Sequence, residues 1–437
     1  MKTSSWVWSM SRRRGFRVLT GAAGATIVVR GLGLGSQAFA VAVFGAGRQL
    51  DAFLIACIVP NLITAPYAGG VELGLGPGYA VAREAAPEGL AIHRGAILRR
   101  VTRTGVLVTA LVMAALPILI RLSAPGAGDA VIDAAQDLAW WIYPTILASC
   151  VSAGCSTILF ASGRIQLPVL AQSIRPIALI LALLLDESVE TMAVAACVGA
   201  FLEMGVNLLL VRVCEGPVDA VPRRSEPLVS VAGSQTRLLT LSSGITQLSP
   251  AIDLAVVASL GPGKLVLFTI ASRFYDVGKA AFVQPSARLA QNRLGIAAQD
   301  HANLPGQMHF ELRRAFQVGL AAAFVTAVLA PPAVYVIFLR GEFTADDAAT
   351  SSLLAVLLAI ALVPWALASV LPRVLVVQQR TREYVALGIG YVVVNLALDI
   401  LFVELWGVYG VAIATVTAIA LFAAAQHLRA RRTLPTY

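Results

Sequence analysis

About twelve stretches of this chain are each long and apolar enough to cross a lipid bilayer, and that pattern removes most folds from consideration. They lie near residues 18–43, 52–82, 104–120, 137–161, 166–185, 190–213, 238–260, 265–287, 315–338, 349–378, 383–403 and 408–428. A spanning helix needs about 20 predominantly apolar residues, because each adds only ~1.5 Å across a core ~30 Å thick. Only 13% of the residues are charged, against roughly 25% in a soluble domain. Backbone amides in lipid must bond internally, so only helices or a closed barrel can span. The short alternating strands of a barrel do not appear, which predicts an all-α polytopic membrane protein.

The formal net charge of +9 would fit nucleic-acid binding, but the placement of the cations argues against it. With the N-terminus in the cytoplasm, 24 of the 33 Lys and Arg fall on inside segments, among them Arg83, Arg94, Arg164 and Arg212. The outside loops hold Arg48, Arg121, Lys264 and Arg340. That bias orients both termini inside and makes the basic charge a topology signal. Ser11-Arg12-Arg13-Arg14-Gly15-Phe16 has the form of a twin-arginine export signal, but with eleven further spans it reads better as the inside flank of the first. Cys57, Cys150, Cys155, Cys197 and Cys214 form no Cys-x-x-Cys pair and read as small core residues. His93, His301, His309 and His427 lie in polar loops or near span ends, so no metal or other cofactor is expected.

The turn Phe44-Gly45-Ala46-Gly47-Arg48 returns in weaker form as Leu260-Gly261-Pro262-Gly263-Lys264, 216 positions later. Arg164-Ile165-Gln166 likewise maps onto Arg380-Thr381-Arg382, and 193–211 maps onto 409–427. The chain therefore divides into a six-span lobe with a cytoplasmic linker, 1–237, and a second six-span lobe, 238–437. An even number of spans per copy gives a parallel repeat about an axis along the membrane normal. Two such lobes imply a central cavity that opens to each side in turn. Gly31 with Gly35, and Gly70 with Gly74 and Gly78, fit the small-x-x-x-small pattern of close helix packing.

Ionisable side chains at membrane depth are the candidate functional residues, since each costs about 2.5–3.5 kcal/mol at the bilayer centre. The cations are Arg30, Arg175, Arg273, Lys279 and Arg373; the acids are Glu72, Glu203, Asp253, Asp276 and Asp399, with Asp51 at a span edge. Arg30 has no acid three or four residues away, so its partner comes from another helix or a ligand anion. Arg273, Asp276 and Lys279 are spaced to form either a self-neutralised ladder or a cavity face on which Arg273 binds phosphate. Glu203 and Asp399 are expected to pair structurally. No Gly-x-x-x-x-Gly-Lys loop and no nucleophile–base pair is present, so neither an ATP-driven pump nor an enzyme is expected.

Several motifs occur in a family order: Arg30-Gly31-Leu32-Gly33, Phe44-Gly45-Ala46-Gly47 with Asp51-Ala52-Phe53, Pro60-Asn61-Leu62, Ala124-Pro125-Gly126 with Asp129, Ala271-Ser272-Arg273, and 341–348. In this ordered set the chain resembles the multidrug/oligosaccharidyl-lipid/polysaccharide (MOP) exporter superfamily, and within it the MurJ/MviN lipid II flippases. The resemblance implies a multi-pass protein of the bacterial cytoplasmic membrane. Its partner would be an undecaprenyl-pyrophosphate-linked glycan, either a peptidoglycan precursor or a polysaccharide repeat unit, flipped to the outer leaflet by alternating access. It makes Arg30, Arg273 and Asp51 substrate-binding candidates, with Glu72, Asp253, Asp276 and Lys279 as coupling or cavity residues. Charged family positions fall here on Ser36, Gln37, Thr64 and Ala65. Two other functions fit the same fold: a small-molecule exporter coupled to Na+ or H+ through Glu72 or Asp253, and a non-transporting scaffold for envelope-synthesis proteins.

Overall fold

A computed structural model describes residues 24–26, 28–85, 90–216, 245, 248–287, 290, 294, 304–377 and 381–431. The Ser11–Phe16 motif, most of the inter-lobe linker, His301 and the Arg373 side chain lie outside the described residues. The described residues are helical, with no strand among them. In chain order the helices are α1 (Gly24–Phe44), α2 (Arg48–Ala85), α3 (Leu90–Ala114), α4 (Leu116–Ser123), α5 (Asp129–Ile142), α6 (Thr145–Ala161), α7 (Gln166–Ala171), α8 (Ile174–Leu185) and α9 (Val189–Glu215). There follow α10 (Leu248–Ala258), α11 (Lys264–Gly278), α12 (Leu304–Phe338), α13 (Ala345–Ile360), α14 (Leu362–Val377), α15 (Thr381–Trp406) and α16 (Val408–Arg431).

Eight helices among the described residues are long and apolar enough to cross a membrane, or up to ten if each bent pair counts once. The two remaining expected spans fall on α10, which is short, and on α11, whose Arg273, Asp276 and neighbouring Lys279 dilute its apolar character. Each expected stretch thus has a helical counterpart, but several are not straight rods. The third is bent by 77° between α3 and α4, and the fourth by 43° between α5 and α6. Pro117 and Pro144 stand at these breaks, and Pro176 and Pro364 follow the interruptions before α8 and within 345–377. Proline has no N–H and its ring collides with the carbonyl four residues back, so the helix stops or turns there. Beyond α11, Lys279–Val283 forms a π turn.

The Cα positions of the described residues cluster into two compact units, one within 1–37, 59–120 and 135–244, the other within 38–58, 121–134 and 245–437. In the first unit α3 packs on α6, and α9 on both α6 and α8. Val71, Leu75, Val101, Cys155, Ile158 and Leu159 form its core. Helices approach closely at small residues: a Cβ on Gly154 would lie 2.7 Å from the Val101 side chain, and one on Gly199 would lie 3.2 Å from the Arg175 Cα. In the second unit α15 packs on α16, and α12 on α13 and α14. Among the described residues the expected packing role of Gly31 and Gly35 is not met, since a Cβ on either would touch nothing described within 4 Å. All five cysteines are free thiols, buried or half-buried.

Candidate functional site

Within the second unit, the turn after α1 is built from glycine. Gly45 has φ +63°, and its amide closes α1 on the Val41 carbonyl at 2.8 Å. Gly263 (φ +81°) begins α11 and has no side chain with which to cap it. Asp51 supplies the missing cap from the start of α2. Its Oδ2 accepts the Gly263 amide at 2.5 Å and its Oδ1 accepts the Val266 amide at 3.2 Å. The first turn of a helix exposes unpaired N–H groups and positive potential, which a carboxylate satisfies. The same turn meets 340–343: the Glu342 amide donates to the Ala42 carbonyl at 3.2 Å, and a Cβ on Gly341 would fall on that oxygen. Asp51, buried, is thus committed to two backbone amides.

Asp253 lies at the centre of a second buried constellation, formed by α10, α15 and α16. Asn395 Nδ2 donates to Asp253 Oδ1 at 2.6 Å and to Asp399 Oδ2 at 2.8 Å. Thr415 Oγ1 is 2.8 Å from Asp253 Oδ2 and 2.9 Å from the Val411 carbonyl oxygen, and its single proton serves one of them at a time. Asn395 and Asp399 are wholly buried, and Oδ1 of each has no hydrogen-bond partner. Ser249, one turn before Asp253, donates its hydroxyl to Tyr391 Oη at 2.9 Å. Two carboxyl groups, an amide oxygen, a hydroxyl and a carbonyl make a hard-oxygen donor set, suited to an alkali or other hard cation. No group of three or more His, Cys, Asp or Glu able to hold a metal occurs among the described residues.

The expected structural pairing of Asp399 is therefore with this cluster, through Asn395. Asn395 and Thr415 were missed from sequence. The usable signal was the i, i+4 spacing of Asn395 and Asp399, which puts an amide and a carboxylate on one face of an apolar helix.

Lys279 Nζ pairs with Asp276 Oδ1 at 2.7 Å and sits over the rings of Tyr275 and Trp365, 4.8 and 5.3 Å from their centroids. Arg273 stands exposed on the preceding turn. In the first unit Arg30 is exposed on α1 and Glu72 on α2. Ser36 and Thr64 turn their hydroxyls back onto their own helices, to the Gly33 carbonyl at 3.0 Å and the Pro60 carbonyl at 2.8 Å. Arg175 pairs with buried Glu203 and donates through Nη2 to Ser149 Oγ at 3.0 Å, as the expected structural pairing of Glu203 requires.

Solved structures resemble this fold along almost its whole length. A lipid II flippase MurJ in an inward closed conformation has a TM-score of 0.79 and 19% identity over 95% of this chain and 88% of its own. An inward-facing multidrug resistance MATE transporter of the MOP superfamily gives 0.78 and 17%, over 94% of this chain and 98% of its own. A MOP transporter from Pyrococcus furiosus, described by a binding pocket of reverse polarity, gives 0.71 and 17% over 95% of each chain. At such identities these likenesses speak for the fold. A family model described as lipid II flippase MurJ matches residues 40–437, and the chain belongs to that family of membrane transporters.

Proposed function

We propose that this protein flips an undecaprenyl-pyrophosphate-linked glycan, a peptidoglycan precursor or a polysaccharide repeat unit, from the inner to the outer leaflet of the bacterial cytoplasmic membrane. The observation that carries this reading is the match to the lipid II flippase family over residues 40–437. The repeat supports two lobes, 1–237 and 238–437, that rock about a central substrate site. Arg30 and Arg273 are the substrate-binding residues of the proposal, because each is an arginine on an apolar span and a guanidinium fork matches a pyrophosphate. Asp51 acts through architecture, by holding the start of α11, the helix that carries Arg273. With neutral side chains at Ser36, Gln37, Thr64 and Ala65, those two arginines carry a larger share of the anion than in a cavity richer in cations.

Asp253, Asn395, Asp399 and Thr415 are the proposed coupling site. A monovalent cation held there would offset two carboxylates that lie in a low-dielectric interior. The two unpartnered oxygens, Asn395 Oδ1 and Asp399 Oδ1, support that assignment.

The test is translocation of a labelled lipid-linked pyrophosphoryl sugar in proteoliposomes. Arg30→Ala and Arg273→Ala should each reduce its appearance in the outer leaflet by at least tenfold, and unimpaired transport in both would remove the pyrophosphate role. Na+ should raise the unfolding temperature of the purified protein where choline does not, and Asp399→Asn should abolish that increment. Efflux of small cationic drugs without lipid transport would favour the exporter alternative.

A further inference from the structure

We propose that the cytoplasmic end of the first unit carries a binding site for the phosphate of an anionic phospholipid headgroup, formed by Arg83 and Arg164 around Glu215. The site shares no residue with the proposed transport machinery and does not depend on that reading. Arg83 closes α2, Arg164 lies in the turn after α6, Glu215 ends α9, and Arg94 lies in the first turns of α3. The charge bias places all four helix ends at the cytoplasmic surface.

Two guanidiniums flank the Glu215 carboxylate, and a third lies at the end of its helix. Arg94 is buried, and its Nη2 is 3.7 Å from where a Cβ on Gly216 would stand, so it lies against the negative end of α9. Among the described side chains, that end and Glu215 balance Arg94 and leave Arg83 and Arg164 in excess. The two surface arginines do not close on Glu215. Arg83 Nη1 is 3.9 Å from Oε2 and Arg164 Nε is 3.8 Å from Oε1. Charge-assisted hydrogen bonds run to about 2.7–2.9 Å, so both pairs hold orientation without consuming the guanidinium donors. Burial differs in the same sense. The Glu215 side chain is 5% exposed, whereas Arg83 and Arg164 are 39% and 43% exposed.

The carboxylate thus aims two half-exposed forks at one region of the membrane interface. A phosphodiester offers tetrahedrally disposed oxygens that could take one fork each. Basic pockets between helix ends on the cytoplasmic side suit anionic headgroups, at about 1 kcal/mol per cation, equivalent to roughly fivefold in affinity.

The experiment uses the purified full chain in neutral detergent. Bound lipid is read by native mass spectrometry and unfolding temperature is read on titration with short-chain phosphatidylglycerol, phosphatidylcholine or inorganic phosphate. Phosphatidylglycerol should be retained and should stabilise, and the other two should not. R83Q/R164Q should weaken phosphatidylglycerol binding roughly 30-fold, and R83K/R164K should fall between. Glu215→Gln decides between binding and mere structure. A purely structural carboxylate, once removed, lowers stability and leaves lipid affinity unchanged or lower. A carboxylate that competes with the headgroup, once removed, raises affinity severalfold. Unchanged or weaker binding in folded Glu215→Gln, or wild-type binding in R83Q/R164Q, overturns the proposal. Equal stabilisation by inorganic phosphate reassigns the site to a soluble anion and also overturns it.

Discussion

Replacing Asp51 with alanine removes both acceptors from the first turn of α11 while leaving the apolar packing of Leu50, Ala52 and Phe53 in place. The Gly263 and Val266 amides then face a buried environment with no partner, because Gly263 cannot cap its own helix. Leaving a buried donor unsatisfied costs about 1–3 kcal/mol, and a lost N-terminal cap about 1 kcal/mol. These overlap, so a combined effect of about 2–4 kcal/mol is expected on the contact between 38–58 and 260–266. That changes the population of the locally opened state by roughly 30- to 700-fold. Asp51→Asn keeps one acceptor but loses the charge that complements the helix end, so it should fall between. Hydrogen exchange of the 260–270 segment in lipid nanodiscs reads the change directly, because exchange through local opening accelerates by the same factor. If the Val266 amide in Asp51→Ala exchanges at the wild-type rate, the capping argument fails, whatever happens to transport.

Arg175→Gln strands the Glu203 carboxylate within the first unit and should destabilise it by about 3 kcal/mol, the low end for a buried pair because Arg175 is partly exposed. Arg175→Met with Glu203→Met should recover most of that loss in detergent unfolding, and a double variant as unstable as the single would refute the pairing. Gly341→Ala places a methyl on the Ala42 carbonyl oxygen at φ +60°, whereas Gly163→Ala at φ +78° meets nothing within 4 Å. The first should lower stability well beyond the ~1–2 kcal/mol of backbone strain that alone acts in the second. Equal unfolding temperatures for the two would show that the 341–42 contact does not matter.

The helical stretches were legible because length and apolarity are local properties, which the bilayer imposes on each helix separately, although eight to ten of the twelve expected stretches are long and apolar enough to cross among the described residues. The bends were legible in principle from Pro117, Pro144, Pro176 and Pro364, since proline acts on its own turn. The partner of Asp51 was not, because it stands 212 residues away and is a backbone amide, which has no sequence signature. The Asp253 site was half legible. A carboxylate in an apolar span is conspicuous, whereas Asn395 and Thr415 resemble the small polar residues that any membrane helix tolerates. Gly31 and Gly35 failed in the opposite way: their spacing permits close packing, but among the described residues a Cβ on either would meet nothing within 4 Å.

The cluster around Asp253 also orders events during synthesis. Asn395 and Thr415 follow Asp253 by 142 and 162 residues. At about 5–20 residues per second, roughly 8–32 s pass before both have been made. Through that interval α10, a short apolar helix among the described residues, carries a carboxylate without the groups that later surround it. The second unit therefore has its weakest point early and its fastening last. Loss of α16 alone, by truncation or a stalled ribosome, should expose α10 to membrane quality control even though every residue of α10 is intact.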